Sequence, residues 1–239
     1  METKISRRQF LTVAAAGATC GLTAQTLAGS WKTTLHKALI GKPDRKTMTQ
    51  FREAGFEGLE TQDWNVSPDQ AASGRKIAES LGMRIHSVMR GWAKFNSKDK
   101  AVVEKDIASV ETALRAAQAY GADAVLLVPC RIGGMAMPQP WEFDIDFDPK
   151  TGHVRRVVAG DNSPYQDYIA AHNHAVDTSR AALERLAPVA EKTGVIIAVE
   201  NVWNNLWVKP AVFQNFVASF QCRWIQAYFD IGNHVKYAP

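Results

Sequence analysis

Between residues 37 and 229 short apolar runs alternate with amphipathic stretches, and this rhythm limits the fold more than anything else in the chain. The runs lie at residues 37–41, 58–61, 84–88, 124–128, 195–199 and 224–229. They lack the in-and-out polar alternation of a sheet with one wet face. Such runs indicate strands covered on both faces, hence parallel pairing. The stretches between them read as helices at 44–54, 67–81, 99–120, 167–193 and 210–220. Ser67, Pro68 and Asp69 supply a cap, a proline for the first turn and an early acid. Val103, Ile107, Val110, Leu114 and Ala117 recur at helical spacing, as do Val176, Leu183, Leu186 and Ala190. Gly82, Gly121 and Gly194 stop their helices. Strands alternating with helices are βαβ units. Residues 131–166 break the rhythm with Gly, Pro, Asp and aromatics, and a connection of that length is expected to act as a lid or binding loop.

Two parallel architectures compete. A doubly wound nucleotide fold needs a glycine-rich phosphate turn early in the chain. The first run instead leads into Gly41, Lys42, Pro43 and Asp44, and Gly133-Gly134 is a lone pair. A (β/α) barrel needs polar residues gathered where its strands end. Those ends carry Glu60, His86, Arg131, Glu200 with Asn201, and Asp230 with Asn233. The expectation is therefore an α/β fold of the TIM-barrel type. Six of eight βα units are present, so the barrel is expected to be incomplete, truncated after the sixth strand. An open arc of six strands exposes its edges. The sequence is read either as a fragment or as a barrel completed by another chain, with a homo-oligomer as one solution.

Residues 1–29 read as an address and residues 30–239 as the barrel domain. Ser6, Arg7, Arg8, Gln9, Phe10 and Leu11 precede a mildly apolar run, and the pattern resembles a twin-arginine export signal. The expected location is the periplasm. The run is too short and too weakly apolar for a stable membrane span. The formal charge of the chain is +4, of which Lys4, Arg7 and Arg8 against Glu2 supply half. The remaining charge forms no basic stripe, so no nucleic-acid partner is expected. Cys130 and Cys222 read as free thiols, and His172 and His174 as surface residues two apart on a helix.

The chemistry is expected at two strand ends. Glu200 follows the wholly apolar run 195–199, and an unpaired carboxylate there is costly to bury. Asp230 repeats the arrangement one strand later. Adjacent strands lie about 4.8 Å apart, so two such carboxylates can share one divalent ion. The segments 197–204, 228–233 and 55–60 resemble the xylose isomerase-like barrels, the sugar phosphate isomerase/epimerase superfamily.

That resemblance implies a divalent metal (Mn, Mg, Co or Zn) held by Glu200 and Asp230, with Glu200 also serving as base. The family's two further ligands come from strands seven and eight, which are not found in this sequence. The implied reaction is isomerisation or epimerisation of a sugar or sugar derivative, by proton transfer beside a carbonyl through an enediolate. His86, Arg131, Trp203, Asn204, Asn233 and His234 are the candidate substrate-binding residues. Two other functions stay open: an inactive truncated barrel that binds a sugar, and an endonuclease-like member of the same superfamily.

Overall fold

Residues 34–237 are described by the computed structural model, and from His36 on they form one folded unit. The residues read as an export signal lie outside the described residues. The element order is β1 (Ala38–Ile40), α1 (Arg45–Glu53), β2 (Gly58–Thr61), α2 (Pro68–Ser80), β3 (Arg84–Trp92), α3 (Lys100–Tyr120) and β4 (Ala124–Val128). It continues with β5 (Asp146–Phe147), β6 (Val154–Arg156), α4 (Gln166–Thr193), β7 (Ile196–Glu200), α5 (Pro210–Ala218) and β8 (Ile225–Tyr228). Six strands form one sheet in the order β1-β2-β3-β4-β7-β8, and every neighbouring pair is parallel. This is the βαβ alternation expected from the sequence, in the form of a partial TIM barrel.

Local chemistry sets the boundaries. Ser67 and Gln70 form a capping box, in which each side chain bonds the other's backbone N–H and Pro68 takes the first turn. These contacts satisfy two donors that the start of α2 would otherwise leave open. Gly194 closes α4 at φ +69°, a left-handed conformation that residues with a Cβ adopt at a cost. The apolar face of α3 (Ile107, Val110, Ala113, Leu114, Ala117) and that of α4 (Val176, Leu183, Leu186, Ala190) are buried against the sheet. Trp207 is fully buried just before α5, its ring 4.7 Å from Phe216 and 5.5 Å from Phe213. Among the described residues no helix is long and apolar enough to cross a membrane.

Three expectations need correction. First, β3 runs four residues further than the apolar run, to Trp92. Irregularities in its pairing with β2 and β4 carry it on, and Gly91 at φ +71° allows the second of them. The Arg90 guanidinium inside this extension bonds Asp106 at 2.7 Å and is nearly buried. Its charge inside the strand is thus neutralised from α3. Second, residues 131–166 are not a free lid. They contain the antiparallel β5–β6 hairpin and bury Phe143, Val154 and Val157 in the core. The Asn173 amide on α4 bonds both backbone groups of Val154, at 2.8 and 3.1 Å.

Third, His172 is not on the surface. It is 0% exposed, and its Nε2 lies 3.1 Å from the Leu206 carbonyl. His174 is exposed, as expected. Cys130 and Cys222 are free thiols, and burial pushes the Cys130 thiol up to about 12.

Burial also lowers the His172 pKa to about 4 from an ordinary 6.5. As pH falls, the unfolded chain takes up this proton before the folded one. The stability that neutral His172 contributes is therefore complete above about pH 6.5 and is lost as pH falls toward 4, by roughly 3 kcal/mol. Denaturant unfolding measured across that window is expected to show the loss. His172→Gln, which keeps a donor for Leu206, is expected to flatten the slope.

Candidate active site

The C-terminal ends of the strands gather the polar residues. Glu200 is the last residue of β7, half-buried, and pairs in register with Tyr228 of β8. Register partners in a parallel pair project from the same face. Asp230 lies two residues beyond Tyr228, just past the end of β8, and its charge acts on Glu200. Glu200 and Asp230 thus lie near each other at adjacent strand ends.

Asn201 fixes their relation. It is 1% exposed. Its Oδ1 accepts from the Asp230 backbone N–H at 2.6 Å, and its Nδ2 donates to the Asp230 carbonyl at 2.8 Å. Nδ2 also lies 3.3 Å from His234 Nδ1. One amide therefore ties the end of β7 to the backbone after β8. The Asp230 carboxylate accepts from the Gly232 N–H at 2.7 Å, which closes a tight turn. The turn returns Asn233, whose Nδ2 donates to Glu200 Oε1 at 3.3 Å. Burial raises the Glu200 pKa above the ordinary carboxylate value, and the Asp230 charge raises it further, against the Asn233 hydrogen bond. Burial lowers that of His234.

The rim is aromatic and basic. The Trp203 Nε1–H donates to the Asn233 carbonyl at 2.7 Å, and the Lys236 ammonium sits 5.0 Å from the Trp203 ring centre. The Arg131 guanidinium stacks on Trp92 at 4.3 Å, with Nη2 3.4 Å from the Trp203 carbonyl. Of the residues expected from sequence, Glu200, Asp230, Arg131, Trp203, Asn233 and His234 meet at this end of the sheet.

Two do not. His86 lines a depression at the opposite, N-terminal end with Glu57, Arg84 and Asp123. The error follows from β3: its true C-terminal end is Trp92, six residues later. Asn204 is fully buried, and its Oδ1 accepts from the backbone N–H groups of Leu206 and Trp207 at 3.0 and 3.1 Å. It shapes a turn and forms no pocket wall.

Sequence reasoning also left Glu60 out of the site. It is 5% exposed on β2, and its Oε1 accepts from Ser87 Oγ at 2.8 Å and Tyr228 Oη at 3.1 Å. Burial, with the Glu60 charge next, pushes the Tyr228 phenol up to about 12. The argument that found Glu200, an acid ending an apolar strand, applies equally to Leu59-Glu60.

The donor set can be tested against a divalent ion. Glu200 and Asp230 offer hard oxygens, carry two negative charges, and pair with no Lys, Arg or His among the described residues. That fits Mg or Mn in charge and chemistry. The fit extends to two ligands: among the described residues no group of three or more His, Cys, Asp or Glu side chains gathers as an ion site.

A family model described as the xylose isomerase-like TIM barrel matches residues 48–239. The chain belongs to this family. No curated protein matches it significantly. Solved structures that resemble it include a 3-keto-D-glucoside 4-epimerase from E. coli in its apo form, at 12% identity and TM-score 0.57. Others are an L-ribulose 3-epimerase at 17% identity and TM-score 0.56, and a D-allulose 3-epimerase from Methylomonas sp. in complex with D-allulose at 17% and 0.55. Each likeness covers 82% of this chain and, respectively, 68%, 61% and 63% of the other. At these identities the likeness establishes the barrel fold.

The clamp predicts a measurable cost. Asn201→Ala removes two buried hydrogen bonds and is expected to destabilise the fold by about 2 kcal/mol in denaturant unfolding. Asn201→Asp, which loses the amide donor and adds a charge beside Asp230, is expected to cost more.

Proposed function

We propose that the chain carries the active site of a divalent-metal-dependent sugar isomerase or epimerase. One observation carries this reading: Glu200 and Asp230 lie at adjacent strand ends, and among the described residues no cationic side chain pairs with either. Burial raises the Glu200 pKa and the Asp230 charge raises it further, so the pair carries unbalanced negative charge. A divalent ion would relieve it. The names of the three solved neighbours, all sugar epimerases, support the same class.

Glu200 and Asp230 would hold the ion, with further ligands beyond these two. When bound, it would polarise a carbonyl oxygen and stabilise negative charge developing there. Glu200 removes the proton from the carbon beside that carbonyl. Returning it to the neighbouring carbon, while a proton passes between the two oxygens, completes an isomerisation. An epimerisation needs a second acid to protonate the same carbon from the opposite face. As the carboxylate beside the reacting carbon, Glu200 is placed to carry that proton. Asn233 holds one Glu200 oxygen and so aims the other. Trp203 walls the site, while Arg131 and Lys236 meet substrate oxygens at the rim. The proposed substrate is a free sugar or sugar derivative, consistent with the export signal read at residues 6–11.

Solvent-proton exchange tests this. With Mn present, exchange from the carbon beside the carbonyl of a ketose panel is expected in D2O by NMR. Glu200→Gln is expected to lower the rate by about 100-fold or more. Glu200→Gln and Asp230→Asn should each weaken Mn binding, measured from free-ion electron paramagnetic resonance. Exchange undiminished by Glu200→Gln would remove Glu200 from its role.

A further inference from the structure

Glu60 is a carboxylate with an incomplete explanation. It lies on β2 and is nearly sealed from solvent, where an ionised group without partners is expensive. No Lys, Arg or His among the described residues forms an ion pair with it. Its two partners are neutral hydroxyls, Ser87 and Tyr228, and both donate to the same oxygen, Oε1. Oε2 takes no hydrogen bond from the described side chains.

The placement is as telling as the chemistry. Tyr228 belongs to β8, the strand at the far end of the sheet from β1–β2. Its hydroxyl reaches Glu60 only because the sheet curls and both side chains point into the space it encloses. Tyr228 is also the register partner of Glu200. Glu60 therefore sits on the wall facing the Glu200–Asp230 pair, inside the same enclosure, and its charge reaches Glu200.

We propose that Glu60 is a substrate-binding residue, whose free oxygen accepts a hydrogen bond from a hydroxyl of a polyhydroxylated carbonyl compound. Ser87 and Tyr228 hold Oε1, and Oε2, which takes no hydrogen bond from the described side chains, is the acceptor left for the ligand. A carboxylate at this wall selects hydroxyl donors and repels anionic groups. The end of the sugar that faces β2 is therefore uncharged and hydroxylated. This rests on the reading of the site as a sugar site, and it adds a specificity residue away from the reacting carbons.

Calorimetric titration of the full chain, Mn-loaded, with D-fructose and its singly deoxygenated analogues tests the inference. Glu60→Gln keeps an acceptor for Ser87 and Tyr228, so the fold is expected to survive, as circular dichroism and thermal unfolding check. Glu60→Gln should weaken D-fructose binding about ten-fold, the loss of a hydrogen bond to a charged acceptor. One deoxy analogue should bind wild type and Glu60→Gln equally weakly, because the hydroxyl that Glu60 holds is absent from it. Tyr228→Phe, which frees Oε1 without removing the charge, should weaken D-fructose binding by a smaller factor.

Equal losses for every analogue would overturn the proposal, and so would unchanged affinity in Glu60→Gln or no binding of D-fructose by wild type. Binding with the expected pattern but without proton exchange would uphold Glu60 and sink the isomerase reading instead.

Discussion

The hydrogen bond from Tyr228 to Glu60 spans the space that the sheet encloses, and the site depends on it. A sheet of six parallel strands has two unpaired edges, and twist alone does not decide how far it curls. A polar contact between β2 and β8 requires the curl. Glu60 cannot be left without donors at this depth, and the nearest ones are Ser87 beside it and Tyr228 across from it. Satisfying the carboxylate therefore draws the two ends of the sheet toward each other. The same geometry sets Glu200, in register with Tyr228, against an opposing wall.

A second constraint works along the strand ends. A carboxylate on a loop samples many positions, and a shared cation needs two of them held at one height. Asn201 achieves this with backbone bonds to Asp230, the type least sensitive to side-chain rotamers. The Gly232 and Asn233 turn then brings an amide back onto Glu200. Glu200 and Asp230 are thus placed by neutral amides. Among the described residues no ammonium or guanidinium pairs with either charge.

The sequence revealed the architecture well because its signals are physically strong. Apolar runs of four or five residues between capped helices have few alternatives to buried parallel strands, and the structure places β2 and β4 where the runs lie. Glu200 and Asp230 were legible for a related reason: each interrupts apolar sequence with a group too polar to bury without cause. The failures came where tertiary contacts overrode a local signal. The apolar run stops at residue 88, but β3 runs on through Arg90, neutralised by Asp106, to Trp92, and so His86 was assigned to the wrong end. His172 looks like a surface residue until the hairpin and the Leu206 carbonyl cover it. Asn204 belongs to a turn that only the loop after β7 defines.

Glu60 was missed differently. Its signal was present, an acid closing an apolar strand, but a single acid has an ordinary explanation in a nearby cation. The structure removes that explanation: its partners are two hydroxyls, one from the far side of the enclosure. Three carboxylates, Glu60, Glu200 and Asp230, then border one space with little positive charge among them, since Arg131 and Lys236 lie at the rim against Trp92 and Trp203. Such a distribution suits a ligand that brings a cation to one wall and hydroxyl donors to the other. An anionic ligand is disfavoured at the interior wall and favoured only at the rim. Under the proposed function, that charge pattern would turn a sugar's carbonyl end toward Glu200 and Asp230 and its hydroxylated end toward Glu60.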